Sequence, residues 1–289
     1  MFHAMQGRTG SVGSSWWQPP HSRAQEEAAV GACSMDELSR SGLPRCDAAV
    51  NLAGENVLNP LRRWDYAFQR EVVTSRVETT KTLAKAIAEA EQPPRAWVLV
   101  TGVGYYRPSL TTEYTEDSSG GDFDFFSRLV HTWELAAKIP GNITREVVVR
   151  SGVVLGKNGG AISQMLWPFR LGLGGPIGSG VQPFPWIHVQ DLAGIVSHAL
   201  ETEGVRGVLN GVSPASPNTS NADFARALGS ALGRPALLPL PTVVVRAVFG
   251  AERGIMLLEG QRVVPKRTLE CGYHFTFPDL PVALRDIVS

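Results

Sequence analysis

At 289 residues the chain can hold one large domain or two smaller ones and can bury a full core. Lys plus Arg and Asp plus Glu both number 27, so the net charge is zero and no long-range field draws the protein toward nucleic acid or anionic lipid. Charged residues make up 19% of the chain while Gly and Pro number 30 and 20, which suits a compact fold rather than a disordered one. No run of about 18 apolar residues offers a membrane span.

Three cysteines, Cys33, Cys46 and Cys271, are far apart and form no CxxC or Cys/His cluster, so no metal site is expected. Free thiols in a reducing compartment are the reading. The first 25 residues carry Arg8, Arg23 and several Ser but no acidic side chain. A cytoplasmic start is expected, with a mitochondrial transit segment as the alternative.

Near the N-terminus, Gly7, Gly10 and Gly13 have the G-x-x-G-x-x-G spacing of a phosphate cradle. Such a cradle needs a strand before it and a helix after it, whose first N–H groups face the pyrophosphate. Here SSWWQPP follows, and Pro19-Pro20 break the helix the glycines would serve. Both a cradle and a plain glycine-rich turn stay open.

From residue 47 apolar runs alternate with helical stretches, as in a parallel sheet covered on both faces. Residues 47–53 (DAAVNLA) read as a strand closed by Gly54. Over 65–90, Phe68, Val72, Val73, Val77, Leu83 and Ile87 form one stripe at helical spacing, ended by Pro93-Pro94. A strand is predicted at 96–100, a helix at 124–137 and a strand at 146–155. Ligands of such sheets lie at the carboxyl ends of the strands.

The pattern then changes. Residues 156–180 read as a glycine-rich connector or a substrate lid. WIHVQD, from Trp186, opens a helix to about residue 198, and a last strand at 208–210 returns to the sheet. Residues 221–233 form a helix with Asn221 as its N-cap. The fold class is α/β: a Rossmann-like doubly wound parallel sheet over 1–165, with 1–33 atypical and strand 208–210 returning to it, and a smaller substrate-binding part over 166–289.

The segments CDAAVNLAGENV, SRVETTKTLAKAI, VLVTGVGYY, VVVRSGVVLG, GLGGPIGSG and WIHVQDLA occur in order, followed by NADFARALGSALGRPALLPLP and GQRVVPKRTLECGYHFTFPDL. Together they resemble the extended short-chain dehydrogenases/reductases over residues 34–289, and the tail resembles their atypical epimerase-like branch, the 39U family. The resemblance implies bound NADP(H). It places Leu52 and Ala53 on the turn lining the nucleotide, and Glu71 and Arg76 on the helix facing it. Val154 falls beside the strand that meets the nicotinamide end. For the two charged residues the alternative is a solvated helix face, and for Val154 a plain core position.

The resemblance also exposes two departures. Active relatives carry a Tyr and a Lys four residues apart, the Tyr moving the proton and the Lys lowering its pKa. The matching positions here are Phe126 and Val130, neither of which transfers a proton. Thr101 and Tyr106 are the candidate substitutes near the same strand end; the alternative for Tyr105 and Tyr106 is packing, and a lone helical His such as His131 is more often structural or exposed than catalytic. The resemblance also requires a full first βαβ unit before residue 34, in place of which the chain reads SSWWQPPHSRAQEEAAVGACS. An alternative first exon or a join in the gene model would produce this.

Three readings follow. One is an NADP(H)-dependent oxidoreductase or epimerase-like enzyme on an unknown small molecule. The second is a catalytically inactive NADP(H)-binding sensor or scaffold, and the third a variant product defective in cofactor binding. No nucleic-acid or membrane partner is expected, and the sequence names neither substrate nor oligomeric state.

Overall fold

The computed structural model describes residues 35–157 and 159–289; Gly7, Gly10, Gly13 and the expected first βαβ unit lie outside these residues. In chain order the described strands are β1 (Ala48–Asn51), β2 (Ala96–Gly102), β3 (Glu113–Tyr114), β4 (Arg145–Ser151), β5 (Val153–Leu155), β6 (Trp186–His188), β7 (Gly207–Gly211) and β8 (Arg262–Val263). The helices are α1 (Met35–Ser41), α2 (Tyr66–Ala88), α3 (Phe125–Ala136), α4 (Gly160–Arg170), α5 (Val189–Glu201), α6 (Asn221–Ala231), α7 (Thr242–Leu258), α8 (Lys266–Glu270) and α9 (Leu280–Val288).

Four strands form a parallel sheet in the order β1-β2-β4-β7. Their cores, AAVN, AWVLVTG and REVVVRS, are near-continuous apolar runs because both faces of the sheet are covered. On one face Trp97 and Leu99 meet Phe68, Val72 and Ile87 of α2 and Leu129 and Trp133 of α3. On the other, Val50, Val98, Val147 and Leu209 meet Ile195, Val196 and Ala199 of α5. A third cluster joins β5 to α4, α6 and α9 through Leu155, Ile162, Phe224 and Leu284.

Local chemistry sets the helix starts. Asp65 caps α2 by accepting from the Phe68 amide at 2.9 Å. Asp124 and Ser127 cap each other's backbone amides at the start of α3. The carboxyl end of α5 is held by Arg145, whose guanidinium donates to the Ala199, Leu200 and Val205 carbonyls.

Several expectations change. The strand expected over 146–155 is two strands: at Gly152 the chain leaves the main sheet, and β5 pairs with β6 instead. The break is carried by Gly152 N donating to Gly211 O and Val153 N to Pro185 O. WIHVQD begins as strand β6, and α5 starts only after it, with His188 as its cap. That helix covers the main sheet rather than belonging to a second unit. The cap of α6 is Ser220, not Asn221; Ser220 and Asp223 cap reciprocally, and Asn221 Oδ1 instead accepts from Ile177 N at 2.7 Å. The connector 156–180 contains α4, so the boundary expected at 165/166 falls inside a helix. Beyond residue 241 the chain is largely helical, in α7, α8 and α9, with α7 broken at Gly250, whose φ of 77° suits glycine.

Candidate functional site

The carboxyl ends of β1, β2 and β4 point the same way, the side on which open parallel sheets hold ligands, and those of β2 and β4 open on a crevice. At the end of β1, buried Asn51 shapes the turn. Its Oδ1 accepts from Ala53 N at 2.9 Å while its Nδ2 donates to Thr80 Oγ1 at 2.8 Å. Thr80 Oγ1 also accepts from Trp133 Nε1 at 2.7 Å, which ties α2 and α3 to this turn. The result is a rigid loop with the Leu52 side chain 58% exposed, an apolar group presented rather than buried.

Arg76 of α2 lies against the same turn. It donates to Glu55 O at 2.9 Å and to Val72 O at 3.2 Å, and its guanidinium sits 5.3 Å from the Trp133 ring centroid. A Cβ on Gly54 would fall 2.9 Å from Arg76 Cζ, so the glycine lets the guanidinium lie on the backbone. Burial pushes the Arg76 pKa down to about 10, against the opposing pull of the Glu55 carboxylate. Among the described residues no carboxylate stands within ion-pair distance of it. Arg76 is a half-buried cation in want of an anion.

The remaining expected positions divide. Glu71, on the same helix, faces solvent and pairs with Arg62 at 2.7 Å, the solvated arrangement. Val154 lies half-buried in β5 opposite Ile187. Thr101 and Tyr106 come together, but in a structural network. Thr101 Oγ1 donates to Glu134 Oε1 at 3.2 Å, and Glu134 forms a two-pronged pair with Arg150 at 2.8 and 2.7 Å. Arg150 also donates to the Tyr106 hydroxyl at 3.0 Å and lies 3.4 Å from the Tyr105 ring centroid. The Tyr106 hydroxyl in turn donates to Asn210 Oδ1 at 2.9 Å, and its side chain is wholly buried. Burial raises the Tyr106 pKa, with Arg150 only partly opposing it. Burial alone would lower the Arg150 pKa, but the bonds to Glu134 overcome this and hold the guanidinium charged. Neither hydroxyl is therefore placed to move a substrate proton in this arrangement. Glu134 and Arg150 were not anticipated; a Glu on a helix and an Arg on a strand gave no local sign that they would meet.

Phe126 and Val130 are buried on α3, and Phe126 lines the crevice beside Gly102, Gly104, Ser151 and Gly152. His131 is exposed, and its ring lies 6.4 Å from that of Tyr105, tilted 33° to it. The crevice, about 310 Å³, is continued by a cavity of about 1130 Å³ under the loop 56–61, α4, the glycine stretch and α7; Leu58, Met165, Ile177, Asn221 and Leu257 line both. Gln182, also at the crevice, donates from Nε2 to Ile177 O and Leu257 O, both at 3.0 Å, which leaves its buried Oε1 without a partner.

A parallel sheet covered on both faces, with a glycine-lined crevice at its strand ends, defines a Rossmann-like protein of the short-chain dehydrogenase/reductase type. Comparison agrees. The chain is 65% identical to a cattle protein, epimerase family protein SDR39U1, over 98% of both chains. It is 63% identical to the human protein of that name, again over 98% of both. The crystal structure of human epimerase family protein SDR39U1 (isoform 2) with NADPH superposes with a TM-score of 0.88 at 66% identity, covering 91% of this chain and 88% of that one. A nucleoside-diphosphate sugar epimerase from Corynebacterium glutamicum matches at 26% identity with a TM-score of 0.66, over 88% of this chain and 48% of that one. Residues 240–287 match a family model described as a domain of unknown function, DUF1731. The chain belongs to the SDR39U1 epimerase family. The cattle and human alignments, at 98% of the chain, take in residues ahead of position 34.

Proposed function

We propose that the protein binds NADP(H) across the carboxyl ends of β1, β2 and β4 and serves as an oxidoreductase or epimerase-like enzyme on a small molecule. The observation that carries this reading is Arg76, a partly desolvated cation without a carboxylate, set against an exposed apolar turn at a strand end. A phosphate-bearing cofactor fits that donor set, because an anion there restores what burial takes from the guanidinium. Leu52 and Ala53 would carry the nucleoside side and Arg76 the anionic groups. Val154 would flank the nicotinamide end, and Glu71 would stand at the rim once parted from Arg62. Bound there, NADP(H) supplies hydride transfer. The chain's own part is to orient the cofactor and to keep water from the crevice with Phe126 and its apolar neighbours.

A second reading, a sensor that binds the cofactor without turnover, is favoured by Phe126 and Val130 and by the commitment of Thr101 and Tyr106 to the Arg150 network. One experiment addresses both. NADPH fluorescence is titrated with the protein, and its oxidation is then followed over a panel of carbonyl compounds. Arg76→Met should weaken NADPH binding by about 10- to 100-fold, the worth of a lost charge-assisted bond of about 1.5–3 kcal/mol. Unchanged affinity in a folded Arg76→Met protein refutes the site. Binding without oxidation leaves the sensor.

A further inference from the structure

The cavity behind the crevice differs in character from the turn at β1. Its walls are Leu58, Met165, Phe169, Phe224, Leu240 and Phe249 with their neighbours, and among the described residues its polar side chains are Asn56, Asn59 and Asn221. Among the described residues no Lys, Arg, Asp or Glu lines it. Among the described residues the ionisable side chains at the crevice are Asp124 and Glu259, both acidic, and Asp124 is occupied as the cap of α3. The α6 N-terminus at the cavity wall is closed to anions as well. Its amides at 222, 223 and 224 donate to Gly180 O, Ser220 Oγ and Ser220 O.

The pyrophosphate of a nucleotide sugar carries two negative charges, and burying them without a cation or free amides costs several kcal/mol. An apolar ligand meets no such cost here. The rim leucines Leu61, Leu173 and Leu238 are each more than half exposed, an apolar lip that a ligand of matching character would cover. Gln182, which lines the crevice, keeps a buried neutral acceptor, Oε1, without a partner, and it would take a hydrogen-bond donor.

We infer that the substrate of this site is an uncharged, largely apolar molecule with a small carbonyl or hydroxyl end, and not a nucleotide sugar. Its body fills the cavity beneath α7 and its polar end enters the crevice at Gly102 and Gly152. This rests on the proposed cofactor reading only for which end reacts.

The test uses prodan, a neutral naphthyl ketone whose fluorescence reports apolar surroundings, on the whole chain with and without NADPH. Prodan should bind, benzophenone should displace it, and UDP-glucose should not. Leu173→Glu, at the exposed lip, should weaken prodan about tenfold through a desolvated carboxylate. Leu135→Glu, equally exposed on α3 but away from both cavities, should leave it unchanged. Displacement by UDP-glucose, absence of prodan binding, or full prodan affinity in Leu173→Glu would each overturn the inference. NADPH titrated on the same samples separates the two readings. Prodan binding without NADPH binding sinks the cofactor reading and leaves the apolar site standing, and the reverse sinks this inference alone.

Discussion

Replacing Arg150 with Met tests whether the cluster at the end of β4 is architecture. The side chains of Arg150 and Glu134 are only 5% and 13% exposed, and two bonds of 2.8 and 2.7 Å join them. Arg150→Met keeps much of the apolar stem but strands the Glu134 carboxylate beside Thr101 and removes a donor from the Tyr106 hydroxyl. Breaking one side of a buried pair costs about 3–5 kcal/mol, because the surviving charge has lost its partner but not its burial. For a chain of this size about 2–4 °C accompanies each kcal/mol, so Tm should fall by about 6–20 °C. Urea unfolding followed by the fluorescence of buried Trp97, Trp133 and Trp186 reads the same quantity. The double variant Glu134→Leu with Arg150→Met removes both charges and should be less destabilised than the sum of the single changes, by about 2 kcal/mol or more. A loss below about 1 kcal/mol in Arg150→Met, or simple additivity in the cycle, would refute the structural role. It would also return Thr101 and Tyr106 to the candidates for proton transfer.

Two further expectations concern stability. His188 caps α5 by accepting from Gln190 N at Nδ1, which leaves the proton of the neutral ring on Nε2, 3.3 Å from Asp286 Oδ2. Burial lowers its pKa below the usual 6.5 despite Asp286 and Asp191, so the unfolded chain takes up this proton first as pH falls. The native state must therefore lose stability as pH drops through the ordinary histidine value, and the loss levels off below the depressed folded one. Tm measured against pH should show this fall in the wild type and a smaller one in His188→Asn, which keeps a capping acceptor without titrating; equal slopes would count against it. At Gly260 a Cβ would stand 1.8 Å from Pro183 O, a backbone atom. Gly260→Ala should cost about 1–3 kcal/mol or more through forced backbone movement, and a wild-type urea midpoint would contradict that close approach.

The sequence by itself determined the layered sheet and most of its elements. DAAVN and AWVLV are apolar runs bounded by Gly54 and Pro93-Pro94 that form buried strands, and the apolar stripe over 65–90 forms α2. That Phe126 and Val130 share one helix was also legible, because a spacing of four residues on one helix needs no tertiary information. The split at Gly152 was not, since VVVRS and VVL are equally apolar and only the competing partner strand β6 separates them. Nor was α4, hidden in a run that reads as glycine-rich connector. Tertiary structure alone decided that Thr101 and Tyr106 face Glu134, Arg150 and Asn210, and that Arg76 lies on the β1 turn while Glu71 on the same helix faces solvent. It also brought loop 56–61, α4, α6 and α7 around one uncharged cavity. Periodicity and caps are written within a few residues, whereas a charge's partner and a cavity's lining are set by segments tens to nearly two hundred positions apart.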